Sequence, residues 1–262
     1  MVEMGIEAAQ RNGYTREKTS GIRGRAAKIY RKIFPTHSAN RLSLEAAFIS
    51  MVASANSLYQ NKHLSPTAIL PRIPNLILAT LGALGDSIDG KVAEQIEAET
   101  GQKSKGGTWL DTALDRVTTT FRVIARAESA RARGDKLGQA LAYVEGGTAL
   151  LTSLGRKWAA SRNVVVPEEG KGFGIIGTHP VRTALAIIST DVQPIQKPLD
   201  ILSITGDLKN AGDRFWLGWT KGNGENPAEK RRFRALLVQS VITVGVLAGH
   251  FAYARISDRR KN

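Results

Sequence analysis

The chain's 262 residues include 37 Lys and Arg against 23 Asp and Glu, and the resulting net charge of +14 calls for an anionic partner, either nucleic acid or the surface of an acidic membrane. Cysteine is absent, which excludes disulfides, thiolate metal sites and cysteine nucleophiles. Aromatic residues make up only 6% and are not interleaved with the basic ones, so no stacking platform for single-stranded nucleic acid is in view.

Residues 1–21 are polar, punctuated by Gly13 and Thr19-Ser20-Gly21, and read as a flexible tail that lacks the apolar core of a signal peptide. In residues 22–34 the pattern changes: Ile22, Ala26, Ile29, Tyr30 and Ile33 share one helical face, ringed by Arg23, Arg25, Lys28, Arg31 and Lys32. Such a basic amphipathic helix suits an anionic lipid surface next to a membrane domain, and equally an ordinary surface helix docked on a core. Residues 42–59 are then apolar and small apart from Glu45, Asn56 and scattered serines, and 73–85 are uncharged, with Pro74 placed to open a helix. Three more apolar stretches follow: 109–130, 137–154 with Gly146-Gly147 suited to close helix packing, and 173–190, broken only by His179 and Arg182. The last, 235–254, is the clearest span, with Gln239, Ser240, Thr243 and His250 as its polar interruptions.

Six such segments, with strand character only at Val164-Val165-Val166, predict an all-α protein: an integral membrane bundle of about six transmembrane helices over residues 40–256. A mean hydropathy of −0.18 by itself suits a soluble helical domain. The polarity, however, sits mostly in the tail, at the C-terminus and in the connection 191–234, and ionisable residues inside a span mark function more often than they refute the span. That connection, with Trp216, Trp219 and Gly222-Asn223-Gly224, matches no known pattern.

Chemistry concentrates between Asp86 and Asp115. The run Asp86-Ser-Ile-Asp89-Gly90-Lys-Val-Ala93 is followed, after a polar insert, by Gly107-Thr-Trp-Leu-Asp111-Thr-Ala-Leu-Asp115. On helices, spacings of three and four place each aspartate pair on one face, and two such faces brought together make a four-carboxylate cluster. Clustered anions are costly to desolvate without cations, and oxygen-only ligands select hard ones such as Mg2+ or Mn2+. Two helix termini with surface aspartates are the plainer alternative.

These residues resemble the CDP-alcohol phosphatidyltransferases, the family that includes phosphatidylglycerophosphate and phosphatidylinositol phosphate synthases. Its motif is Asp-x2-Asp-Gly-x2-Ala-Arg, then Gly-x3-Asp-x3-Asp, and Asp86, Asp89, Gly90, Ala93, Gly107, Asp111 and Asp115 match it in order and at the family's spacing within each half. Glu94 stands where the family has Arg, and the insert before Gly107 is longer than usual. The resemblance implies six membrane helices and transfer of a phosphatidyl group from CDP-diacylglycerol to a hydroxyl of a polar, phosphorylated alcohol, with release of CMP. It implies a two-metal site on Asp86, Asp89, Asp111 and Asp115, with Asp115 also the catalytic base toward the acceptor hydroxyl. Asp86, Gly90, Ala93 and Gly107 would hold the nucleotide, and Arg116, Lys171 and Arg182 the acceptor's phosphate. His179 is a second candidate base.

Implied partners are membrane lipids and a second copy of the chain, paired through the small residues of 137–154, with no nucleic acid. The implied location is the inner, cytoplasmic membrane as a multi-pass protein with its site toward the cytosol. With residues 1–41 cytosolic, Arg156-Lys157 and the basic tail 255–261 also fall inside, as the positive-inside rule wants. The basic stretches 126–136 and 230–234 then fall outside, against the rule. The two competing readings are a non-catalytic lipid- or nucleotide-binding relative, suggested by Glu94, and a soluble, basic, helical nucleic-acid-binding protein, suggested by the +14 charge.

Overall fold

The computed structural model describes residues 22–65, 68, 70–101, 107–164 and 193–260. Among them are seven α-helices and no strand: α1 (Ile22–Ile33), α2 (Ala39–His63), α3 (Ile73–Thr100), α4 (Gly107–Ala132), α5 (Lys136–Ser161), α6 (Gln193–Thr220) and α7 (Pro227–Arg259). The all-α expectation therefore holds for the described residues. The tail 1–21 and the expected span 173–190, with Lys171, His179 and Arg182, lie outside them.

Helix boundaries follow local chemistry. Ser38 caps α2 by accepting from the Arg41 N–H, Pro74 sits in the first turn of α3, and Gly101 ends α3 in the left-handed conformation at φ 66°. Asp135 caps α5, its carboxylate accepting from the Gly138 N–H at 3.0 Å and facing Lys197 at 3.0 Å. Partial burial pushes the Asp135 pKa up, but the Gly138 N–H, Lys197 and Arg133 outweigh it and hold the carboxyl below its ordinary value. A depressed folded-state pKa gives stability that is present above the unfolded value and lost as pH falls through the folded one. Asp135→Ala is expected to cost about 1 kcal/mol at neutral pH, whereas Asp135→Asn keeps the cap and loses only the pH-dependent part. Thermal unfolding between pH 7 and pH 3 measures both, and equal behaviour of the two variants at pH 7 would contradict the capping role.

Two ends of the bundle can be told apart by their contacts. At one end Ser43 of α2 meets Asp89 of α3 and Asp111 of α4, and Asn226, just before α7, donates to the Ser161 carbonyl at the end of α5. At the other end Asn61 of α2 meets Ser129 of α4, Gln196 of α6 accepts from Arg133, and Asp258 of α7 accepts from Arg131. From α2 to α7 consecutive helices therefore run antiparallel, except that α5 and α6 are parallel; the packed pairs α2–α4 and α4–α7 are parallel as well.

This topology corrects two expectations. The connection 191–234 contains α6, a 28-residue helix packed closely along α5. The end of α7 lies at the far end from the aspartates, so Arg255 and Arg259 do not share their side, whereas 230–234 does. The basic clusters 156–157 and 230–234 thus meet at the aspartate end, whereas Arg255 and Arg259 join the basic stretch 126–136 at the other.

Helix α3 overshoots the bundle, and α1 covers the overhang. Ala27 of α1 packs with Ala39, Leu42, Ile88 and Val92, and Arg31 pairs with Glu99 at 2.6 Å. The opposite face of α1 leaves Ile29 and Ile33 exposed beside Arg25, Lys28 and Lys32.

Close approach of α2 and α3 rests on glycine. A Cβ at Gly82 would collide with Ser50 Oγ and lie 3.1 Å from the Ala46 carbonyl oxygen, and one at Gly85 would lie 2.8 Å from Ala46 Cβ. Gly82→Val should force the helices apart, costing on the order of 1–3 kcal/mol, and the thermal midpoint reads this. An unchanged midpoint would mean that the helices are free to separate. On α5, Gly146 is filled in the same way by Val123 and faces inward, whereas Gly147 has open space where a Cβ would stand.

Among the described residues only α7 is long and apolar enough by composition to cross a membrane, so six spans do not emerge from composition. The other bundle helices fall short because they carry charges. Seven of these face inward: Asp89, Arg116, Arg126, Glu145, Asp200, Asp207 and Arg214 are buried.

Candidate functional site

Helices α3 and α4 deliver the four aspartates to one place. The Ser43 hydroxyl of α2 donates to Asp89 Oδ2 at 2.6 Å and lies 3.1 Å from Asp111 Oδ1, so it ties the two helices together through their carboxylates. Asp89 and Asp111 also come within hydrogen-bonding reach of each other, and Asp86 lies within electrostatic reach of Asp89, Asp111 and Asp115. Asp89 is buried, while Asp86, Asp111 and Asp115 are open and line a cavity of about 450 Å³. The arrangement follows from spacing: α2 and α3 touch through Gly82 and Gly85, and one more turn of α3 brings Asp89 against Ser43.

The donors are all hard oxygens, and two carboxylates in contact need a shared proton or a cation between them, so the residues fit a divalent ion. Among the described residues no three carboxylate or imidazole groups converge closely enough to enclose one. The Ser43 hydroxyl fills that position between Asp89 and Asp111.

The glycines and alanine of the motif are distributed unevenly. Gly90 is exposed, with open space where a Cβ would stand, and leaves room for a ligand beside Asp89. Ala93 instead packs against the core beneath α1. Gly107 is the first residue of α4. Glu94 is held by Lys91 at 2.8 Å, so the charge reversal at that position is neutralised locally.

Cations line the same cavity as the aspartates. Arg116, Arg122, Arg156, Lys157 and Arg214 line it. Arg116 stands next to Asp115, 3.8 Å from its carboxylate, and donates to Ser153 at 3.0 Å. Arg122 donates to Glu145 at 3.3 Å, and Arg126, only 1% exposed, joins Glu145 at 2.9 Å to Asp200 of α6. Lower in the same seam Thr152 donates to the Asp207 carbonyl and Arg214 donates to the Thr152 carbonyl, both at 2.8 Å.

Of the residues expected from sequence, the structure therefore brings together Asp86, Asp89, Asp111, Asp115 and Arg116. Ser43, Arg122, Glu145 and the polar face of α6 were not foreseen as site residues. Serine and threonine are too common in small-residue helices to stand out. The α6 stripe of Gln196, Asp200, Ser203, Asp207, Asn210 and Arg214, with spacings of three and four, was the available signal. Compared with known proteins, the chain matches no family model and no curated protein.

Proposed function

We propose that this protein transfers a phosphatidyl group from CDP-diacylglycerol to the hydroxyl of a polar alcohol, releasing CMP, at a membrane. The observation that carries the reading is the clustering of Asp86, Asp89, Asp111 and Asp115 from α3 and α4, three of them lining one cavity that arginines and a lysine also line. Mg2+ or Mn2+ held by these carboxylates would, when bound, neutralise the diphosphate of the donor and the charge that develops on it. Asp115, open to the cavity, accepts the proton of the acceptor hydroxyl. The hydroxyl oxygen bonds to the phosphorus that bears diacylglycerol, the bond from that phosphorus to the bridging oxygen breaks, and CMP departs. Gly90 leaves space for the nucleotide, and Arg116 steadies the ionised Asp115.

Membrane embedding is supported by where side chains point. Buried apolar residues are mostly alanines, such as Ala46, Ala53, Ala125 and Ala142, whereas large ones, including Phe48, Val52, Ile77, Leu81, Phe121, Val241 and Ile242, are exposed. A water-soluble bundle buries its large apolar side chains; small residues between helices and large ones outside suit lipid. Trp109, Trp216 and Trp219, all strongly exposed and all at the aspartate end, fit an interfacial belt. We place that end at the cytosolic face of the cell membrane, with α1 lying on anionic headgroups. The family resemblance also implies a homodimer.

The test is CMP release from CDP-diacylglycerol by detergent-purified protein with Mn2+ or Mg2+, screened against glycerol 3-phosphate, inositol phosphate, inositol and serine. Metal-dependent CMP release with one acceptor is the expected result. No release with any acceptor favours the non-catalytic relative. Recovery of the protein from cells without detergent, together with steeply salt-dependent nucleic-acid binding, favours the soluble alternative.

A further inference from the structure

A second, smaller cavity of about 120 Å³ opens at the aspartate end, lined by Trp109 and Thr112 of α4, Lys157 of α5, and Arg232, Ala235 and Gln239 of α7. Charge there is unbalanced. Lys157 and Arg232 both face Glu229, Lys157 at 3.7 Å, so one carboxylate serves two cations. The stretches 156–162 and 221–234, which meet at this end, hold eight Lys and Arg against Glu225 and Glu229 alone. The Gln239 carboxamide oxygen is buried without a hydrogen-bond partner among the described residues, so a donor entering the crevice would satisfy it. Below the crevice the chemistry of α7 changes. Spacings of three and four place Arg232, Ala235, Gln239, Ile242 and Val246 on one face, and both Ile242 and Val246 are exposed. At 1.5 Å per residue that face runs from a cation through a carboxamide to apolar side chains over about 21 Å.

Resting on the membrane reading above, we propose that this crevice binds one anionic phospholipid of the surrounding leaflet. Its phosphate sits on Lys157 and Arg232, a headgroup hydroxyl donates to Gln239, and an acyl chain follows Ile242 and Val246. The order of chemistry along the face selects this ligand, because basic pockets between membrane helices suit anionic headgroups and the apolar track suits only a lipid. A soluble anion makes no use of the track, and a zwitterionic lipid brings an ammonium to a crevice that is already cationic. None of the four aspartates lines the crevice, so it is separate from the place where metal and nucleotide would be held. The two cavities nevertheless share Thr112, Lys157 and Leu236 as lining. A lipid seated here therefore fixes the start of α7 against α4 and α5 and braces the wall of the larger cavity from outside.

The experiment is thermal unfolding of the full-length, detergent-purified protein in EDTA, which reads binding without turnover. Mixed micelles carry phosphatidylglycerol or the phosphatidylcholine of the same chains, and soluble glycerol 3-phosphate is the headgroup control. Phosphatidylglycerol at about a hundredfold excess over Kd should raise the midpoint by roughly 5 °C or more, and the other two by less than about 1 °C. Arg232→Gln, at an exposed position, should remove about half of the shift. Ala235→Leu, which fills the crevice without altering a charge, should abolish it. Arg231→Gln, exposed but outside the crevice, should leave it unchanged. An equal shift with phosphatidylcholine, a full shift with glycerol 3-phosphate, or equal losses in Arg231→Gln and Arg232→Gln overturns the site. So does a phosphatidylglycerol shift that fails to add to the one produced by CDP-diacylglycerol with Mn2+, since the crevice then belongs to the donor. The two readings fail differently. Recovery of the protein without detergent sinks the membrane reading, whereas a protein that needs detergent and shows no lipid selectivity sinks only the crevice.

Discussion

Asp111→Asn and Asp115→Asn are expected to lose activity in different ways. Asparagine at 111 keeps the side-chain shape and still offers an oxygen to the Ser43 hydroxyl, which lies 3.1 Å from the native carboxylate. It replaces a charged ligand with a neutral one, so metal affinity should drop and added Mn2+ should recover part of the CMP release. At Asp115 the amide cannot take the hydroxyl proton. Its loss should persist at saturating metal, on the order of 10²- to 10⁴-fold, the usual cost of removing a general base. The measurement is initial CMP-release rate against Mn2+ concentration for both variants. A common response to metal would make Asp115 a ligand only, and His179 would be the next base to examine. If neither variant is impaired, the aspartate cluster is not the site of the reaction and the assignment falls with it.

The aspartate cluster was legible because it depends on one periodicity. Spacings of three and four on two helices force each pair onto one face, and the apolar segments around them fix those helices against neighbours. The Ser43 link depends on how α2 crosses α3, which glycines at 82 and 85 decide through backbone contact. No hydropathy pattern reports such a crossing.

Helix α6 was missed for a related reason. An amphipathic helix is normally recognised by an apolar face turned to the core. Here the buried face is polar, from Gln196 through Asp200, Ser203, Asp207 and Asn210 to Arg214, and the exposed face carries Ile201, Leu208, Phe215, Trp216 and Trp219. Read for its hydropathy, the stretch looks like a mixed connection. Among the described residues single-helix composition singles out only α7 as long and apolar enough to cross a membrane, because the other helices carry more charge, part of it buried. The orientation of α7 was equally beyond reach, because the sequence does not say that α5 and α6 lie parallel, and that alone moves the last helix's start to the aspartate end.

The largest stability effect is expected at Arg126. Its guanidinium is the cation shared by Glu145 of α5 and Asp200 of α6, and all three side chains are almost fully buried. Removing one partner of a buried ionic group leaves uncompensated charge, which costs about 3–5 kcal/mol, far more than the net worth of the intact group. Arg126→Met fills similar space without the charge, so the loss measures the stranded carboxylates and not a cavity. For a chain of this size it corresponds to a fall in Tm on the order of 10 °C, read by circular dichroism in a fixed detergent. Adding Asp200→Asn and Glu145→Gln to Arg126→Met removes the stranded charges and should restore much of the stability. The triple variant will then be more stable than the single one, a non-additivity that a merely local packing role does not produce. If Arg126→Met shifts the midpoint by less than about 2 °C, under about 1 kcal/mol on the same scale, these three residues do not fasten α6 to the bundle. The α6 wall of the cavity, with Asp207 and Arg214, then needs another anchor.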